Sequence, residues 1–266
     1  RVTEAMVADG EVGIVGHGIT IVHRDGTHQT EVLREGFRFR ANTVDGAKLF
    51  RRRGAFLGTS RMTIRREVLK IIGPVPESIR VQADEYLFTL AAALGYVKIL
   101  EQALTFYRLH EFNAFQTGKF DFERERYKQR SLAALVTSLT EQLERCGIDK
   151  KARTAALAYS RAASDRLRLA IEGGWPWETV SAEWRIFSVS YPEASFGHRI
   201  FKSLSLVAAI GTSPKRYYRV QRSLSESDWY RRARAAVLPN PRMPHLSYSV
   251  ESPREPHSVD ANTQKS

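Results

Sequence analysis

The sequence predicts an α/β protein with a helical extension, on three observations. Between residues 11 and 107, strand-like runs alternate with helical ones, the latter ending at glycine signals. Beyond Asn113 the strand signals stop and helical periodicity takes over. From Pro239 onward five prolines among polar residues predict a disordered tail. The chain therefore divides into a mixed segment 1–117, a helical module 118–235 and a tail 236–266, although 266 residues suit one large domain as well as two modest ones.

In order, residues 11–33 alternate around Arg24-Asp25-Gly26, and Asp-Gly is a tight-turn signal, so His17 to Val22 and His28 to Leu33 form a hairpin. Gly54 to Ile64 reads as extended, and a short helix from Arg65 to Ile72 is stopped by Gly73-Pro74. Residues 85–94 are an amphipathic to fully apolar helix with Gly95 as its C-terminal cap, and Val97 to Tyr107 is again strand-like. In the second half, Leu132, Leu135, Val136, Leu139 and Leu143 mark one helical stripe and Ala155 to Ile171 a second helix. His198 to Ile210 is a third, with an apolar second half, followed by the basic and aromatic run Pro214 to Arg219.

Composition narrows the functional classes. Forty-one basic against 29 acidic residues give a net charge of +12, which favours phosphorylated substrates, anionic membrane surfaces or nucleic acid. No nucleic-acid motif accompanies clusters such as Arg51-Arg52-Arg53 and Arg231-Arg232, so no specific nucleic acid is expected. The single Cys146 rules out an intramolecular disulfide and a cysteine framework for zinc, and its place before Gly147 suits a half-buried apolar residue. No apolar run reaches the roughly 18 residues that cross a bilayer. Gly13, Gly16 and Gly18 form neither a dinucleotide fingerprint nor a P-loop, because no helix opens behind them. His17, His23 and His28 read as exposed strand-end histidines rather than as a metal cluster.

Two short stretches carry the chemistry: Ala83-Asp84-Glu85-Tyr86 and Tyr107-Arg108-Leu109-His110-Glu111-Phe112-Asn113. A carboxylate can act as general base, and a neutral imidazole as ligand or proton shuttle, if a substrate lies between them. An isolated Asp84 would read as the cap of a helix starting near Glu85.

The order of an extended segment, Arg65-Arg66, Ile72-Gly73-Pro74, Asp84, an apolar helix, Gly95, a strand, and Tyr107-Arg108-Leu109-His110 with Asn113 resembles the C-terminal half of the catalytic domain of family 2 glycosyltransferases, from about Val12 to about Gln116. The resemblance implies a GT-A fold and transfer of a hexose-type sugar, with inversion, from a nucleotide sugar to an envelope or lipid-linked glycan acceptor. It implies that Asp84 is the catalytic base on the acceptor hydroxyl. The acid that usually precedes this aspartate is replaced by Ala83, and Glu85 follows it, so either carboxylate is a candidate to face the acceptor. It further implies that Gly58, Thr59 and Ser60 line the donor and acceptor space, and that Arg108 and His110 bind the diphosphate. His110 would also assist a divalent metal, manganese or magnesium, whose principal Asp-x-Asp ligands this sequence lacks. On this reading the nucleotide-binding half precedes residue 1, the chain alone binds donor sugar poorly, and an apolar sheet edge is left exposed. The expected location is the cytoplasm, at the inner face of the cell membrane.

The competing expectation is a basic module that binds phosphate groups or membranes without catalysis. A third expectation, compatible with the glycosyltransferase, makes 118–235 an interaction or membrane-docking module in which residues 198–222 make a peripheral membrane contact, apolar face down and cations toward lipid phosphates; the plainer reading is a core helix followed by a solvated basic turn.

Overall fold

The sheet is assembled on one strand. A computed structural model describes residues 1–33, 36–53, 58–108, 122–191, 194–227 and 246–251. Helix α1 (Val2–Ala8) leads into β1 (Val12–Val22), followed by β2 (His28–Leu33), β3 (Phe37–Phe39), α2 (Val44–Arg53), a 3-10 turn at Thr59–Arg61, β4 (Met62–Ile64), α3 (Arg66–Ile72), α4 (Ala83–Leu94) and β5 (Tyr96–Arg108). The remaining helices are α5 (Phe122–Arg145), α6 (Lys150–Ile171), α7 (Pro176–Ser190), α8 (Phe196–Ile210) and α9 (Pro214–Glu226), and a last strand is β6 (Leu246–Glu251). The architecture is mixed α/β, with strand order β3-β5-β1-β2-β6 and β4 also on β1.

β1 runs parallel to β5 along one edge. Its other edge is shared: Ile14 to Gly16 pair with β4, and Thr20 to Val22 pair with β2 to form the expected hairpin. Residues Val12 to Thr20 are all buried, as in a strand covered on both faces. Ile14, Val97 and Ile99 face the main core with α4, whereas Val12 and Val15 pack with Ala5 of α1, Tyr96 and Leu100.

β1 and β5 adjoin through a glycine pair. A Cβ built on Gly95 would lie 2.9 Å from the Cα of Gly13, and one on Gly13 would lie 3.1 Å from the Cα of Gly95. Gly95 also closes α4, donating its N–H to Ala91 O. Arg65 fastens the entry to β1, its Nε donating to Val12 O at 2.9 Å and a terminal nitrogen donating to Met6 O at 2.8 Å.

The main core crosses residue 117. Leu132, Leu135, Leu139 and Leu143 of α5 and Leu157 of α6 join Ile14, Phe50, Phe88 and Val97 in one cluster, so the sheet and the first two helices of the expected helical module share their interior. A smaller cluster, Leu169, Ala182 and Tyr218, joins α6, α7 and α9. Between α6, α7 and α8 the buried Glu183 accepts from Arg166 Nε at 2.6 Å and from Lys202 Nζ at 3.0 Å. Burial alone would raise its carboxyl, but Arg166 and Lys202 outweigh that and hold it below the usual carboxylate range.

Several elements differ from expectation. The segment 54–64, expected to be extended, contains the 3-10 turn before β4. Helix α2 lacks a clear apolar period, with Ala47 and Phe50 its buried residues, but Thr43 Oγ1 accepts the Gly46 N–H at 3.1 Å as a start signal. Helix α7 begins with Pro176, and Glu178 accepts the Trp175 N–H at 2.8 Å. The run after Pro214 is a helix rather than a turn. Within the expected disordered tail, 246–251 pairs antiparallel with β2; the alternation Leu-Ser-Tyr-Ser-Val suits a strand that the surrounding prolines masked. No described helix is long and apolar enough to cross a membrane.

Gly95→Ala should destabilise the protein by about 2 kcal/mol, because the added methyl meets backbone rather than a flexible side chain. An unchanged urea midpoint would show that the strands can part without cost. Glu183→Gln should cost about 3 kcal/mol near neutral pH by leaving two cations without their shared anion. Because the folded carboxyl titrates below its ordinary 4.5, its contribution is present above that value and is lost as the pH falls through the folded one. The difference between wild type and variant in urea should shrink accordingly in acid; a gap that widens instead would contradict the assignment.

Candidate functional site

Asp84 is half-buried at the second position of α4, whose N-cap is Gln82. It is therefore inside the first turn rather than at the N-cap, although its Oδ1 still accepts a first-turn N–H, that of Glu85, at 2.9 Å. A carboxylate here also meets the positive end of the helix dipole. Gln82 is in the left-handed region, with φ 66° and ψ 31°, a conformation that costs a non-glycine residue roughly 1 kcal/mol.

That backbone is held from the helical side. Ser131 Oγ accepts the Val81 N–H at 3.0 Å and donates to Val81 O at 3.2 Å, so one hydroxyl from α5 satisfies both polar groups of the residue before Gln82. One turn inward, Ser160 of α6 donates to Glu85 Oε1. Neither serine carries a motif, and no sequence signal marks them.

The two adjacent carboxylates consequently have different surroundings. Glu85 is turned to α6. Asp84 faces the turn ahead of β4: a Cβ on Gly58 would lie 3.6 Å from Asp84 Oδ2 and 4.0 Å from Ser60 Oγ. The structure thus brings Asp84, Gly58 and Ser60 into one neighbourhood, with Thr59 and Ser60 exposed. A Cβ at position 58 would be in ordinary van der Waals contact with Oδ2. Arg61, at the end of the same turn, adds a positive charge near Asp84. It was not among the site residues expected from the sequence, although it follows Gly58-Thr59-Ser60 directly.

Burial raises the proton affinity of Asp84, and the negative charge of Glu85 adds to this. The Glu85 N–H, donated to Asp84 Oδ1 at 2.9 Å, and the Arg61 cation act the other way, and the net shift is upward from 3.8. A carboxylate so placed binds a proton more tightly than a solvated one, which suits a general base.

The other expected residues stand apart from this group. Arg108 ends β5, exposed, opposite Val22 of β1. The 3-10 turn borders β1 near Gly16, where Met62 pairs, and Val22 is six residues beyond that, roughly 20 Å further along the strand. His110 and Asn113 lie outside the described residues. His17 is not an exposed strand-end residue: it is buried mid-strand and donates from Nδ1 to Gly18 O at 2.9 Å. Burial pushes the Cys146 thiol up, the opposite of an activated nucleophile. Among the described residues no three histidine, cysteine, aspartate or glutamate side chains gather as a metal-holding group.

Compared with known proteins, the chain matches no family model, no curated protein and no solved structure.

Because Asp84 titrates higher folded than unfolded, its ionised form costs stability above the folded value, and the cost vanishes below the ordinary 3.8. Asp84→Asn should therefore raise the urea midpoint near neutral pH, with the gain disappearing at about pH 3. A variant less stable than wild type at neutral pH would mean that the carboxylate is better solvated than its surroundings imply.

Proposed function

We propose that this chain is part of a glycosyltransferase, with Asp84 as the general base of an inverting transfer. More narrowly, the reading is a GT-A enzyme similar to family 2, acting in the cytoplasm on a nucleotide-linked hexose and passing it to a glycan or lipid-linked acceptor. The observation that carries the proposal is the separation of the two carboxylates. Asp84 Oδ2 borders the Gly58 turn, and Glu85 is engaged by Ser160. Asp84 is thus the one disposed toward a substrate.

In this reaction the acceptor hydroxyl gives its proton to Asp84 Oδ2 while its oxygen bonds to the anomeric carbon. The bond from that carbon to the diphosphate oxygen breaks, and the nucleoside diphosphate departs with the electron pair. Half-burial raises the basicity of the carboxylate, and the Glu85 N–H and the Arg61 cation partly offset that rise. Thr59 and Ser60, exposed on the facing turn, supply hydroxyls for sugar oxygens. The resemblance implies a divalent metal at the diphosphate. The described residues do not make up a site for it, and no step above is routed through one.

The test is sugar transfer by the protein that carries this chain, with Asp84→Asn beside Glu85→Gln. Asp84→Asn should lower kcat roughly a hundredfold or more with little change in KM for the donor. Glu85→Gln, which keeps a carbonyl oxygen to accept from Ser160, should retain most of the activity. Near-wild-type transfer by Asp84→Asn, or the reverse ranking of the two variants, would remove Asp84 from the reaction.

A further inference from the structure

Helix α8 is turned the wrong way round for a helix of a water-soluble surface. Its one lysine, Lys202, points inward to Glu183 at 3.0 Å, beside the buried Leu206 and Ala209. Its large apolar residues point outward: Phe201 is 54%, Leu204 66% and Val207 60% exposed, with Ile200 and Ile210 also exposed. Residues 200, 204 and 207 follow helical spacing, so they make one stripe rather than scattered exceptions. The hydroxyls on this helix and just beyond it bond back to its own carbonyls, although Ser203 and Ser205 are themselves exposed. Ser203 donates to Arg199 O at 2.9 Å, Ser205 to Lys202 O at 2.7 Å and Thr212 to Ala208 O at 3.0 Å, so each satisfies its donor without water.

The neighbouring elements add the groups that suit a lipid interface. Trp175 at the start of α7 is 77% exposed, and Trp177 is exposed beside it. A methyl on Gly173 would lie 3.3 Å from Lys215 Cε, which seats the first turn of α9 against the Gly173-Gly174-Trp175 turn. Lys215, Arg216 and Arg219 are themselves exposed. Amphipathic aromatic rings and long cationic side chains next to an apolar helix match the headgroup layer, where rings sit between acyl chains and water and cations meet lipid phosphates.

We infer that the outward stripe of α8, with Trp175, Trp177 and the cations of α9, docks this protein onto an anionic lipid bilayer, α8 lying in the plane of the interface. Charge selects the occupant. A second copy of the chain would bring its own +12 toward the first, whereas an anionic surface attracts it. Lys202 takes no part in lipid contact, being held by Glu183. The inference does not depend on sugar transfer.

The experiment is sedimentation of the full chain with vesicles of phosphatidylcholine alone and of phosphatidylcholine mixed with phosphatidylglycerol, following tryptophan emission. Binding to the mixed vesicles with a blue shift is expected, with much weaker binding to the neutral ones. Phe201→Ser with Leu204→Ser should weaken it roughly tenfold or more, since two large apolar side chains lose their burial. Lys215→Gln with Arg216→Gln should weaken it and reduce its salt dependence. All four positions are exposed, so circular dichroism should be unchanged, and Val207→Ser gives an independent probe of the same stripe. Failure of the wild type to bind mixed vesicles, or equal binding by the Phe201 and Leu204 variant, would overturn the inference. So would light scattering that shows a dimer which Phe201→Ser with Leu204→Ser turns into a monomer, because the stripe would then be a protein interface.

Discussion

The contact between Gly13 and Gly95 is the constraint on which the rest of the molecule turns. It is made by backbone, with no room for a Cβ at Gly95 and only a tight 3.1 Å approach for one at Gly13. It sets the distance between β1 and the end of α4, and so the line along which α4 lies over the sheet. Asp84 is at the other end of that helix, and its place relative to the Gly58 turn follows from where Gly95 is fixed. β1 supplies the remaining reference, since β4, which follows the turn directly, is hydrogen-bonded to Ile14, Val15 and Gly16. Acid and turn are thus both measured from the same strand.

A second constraint organises the helical half. The buried Glu183 carboxylate needs two cations, one from α6 and one from α8, to remain ionised away from water. Meeting that need fixes the rotation of α8. Once Lys202 is turned inward, residues at the opposite angular positions must face out, and here they are Leu204, Val207 and Ile200. The exposed apolar stripe is therefore a direct geometric result of the buried charge.

The hairpin, the apolar helix with its closing glycine and the strand behind it were legible in the sequence because each carries its own local signal: Asp-Gly at the turn, Gly95 at the cap, alternation along Val97 to Tyr107. Asp84 was marked as a candidate by its ordered neighbours. The different surroundings of Asp84 and Glu85 carried no sequence signal, since Glu85 is engaged by Ser160, which is 75 residues away and has no distinguishing context. Ser131 is the same kind of case. Helix α2 escaped notice because packing by Phe50 against Phe88, at 5.1 Å between ring centroids, compensates for a weak apolar pattern. β6 escaped because its strand pattern lies in proline-rich surroundings. Lys202 shows the reverse fault, a residue whose charge suggests surface and whose partner makes it interior.

The two serine contacts at the start of α4 also bear on motion. Local opening of a protein occurs where few interactions must break together, and a helix end is ordinarily such a place. Here the first turn of α4 cannot fray without releasing Val81 from α5 and Glu85 from α6, helices whose leucines belong to the main core. The first turn of α4 is therefore tied to helices of the main core. The facing Thr59–Arg61 turn has no buried residue of its own, and any adjustment to an arriving molecule falls to that side. The side that carries Asp84 is thus tied into the core, and the facing turn is not.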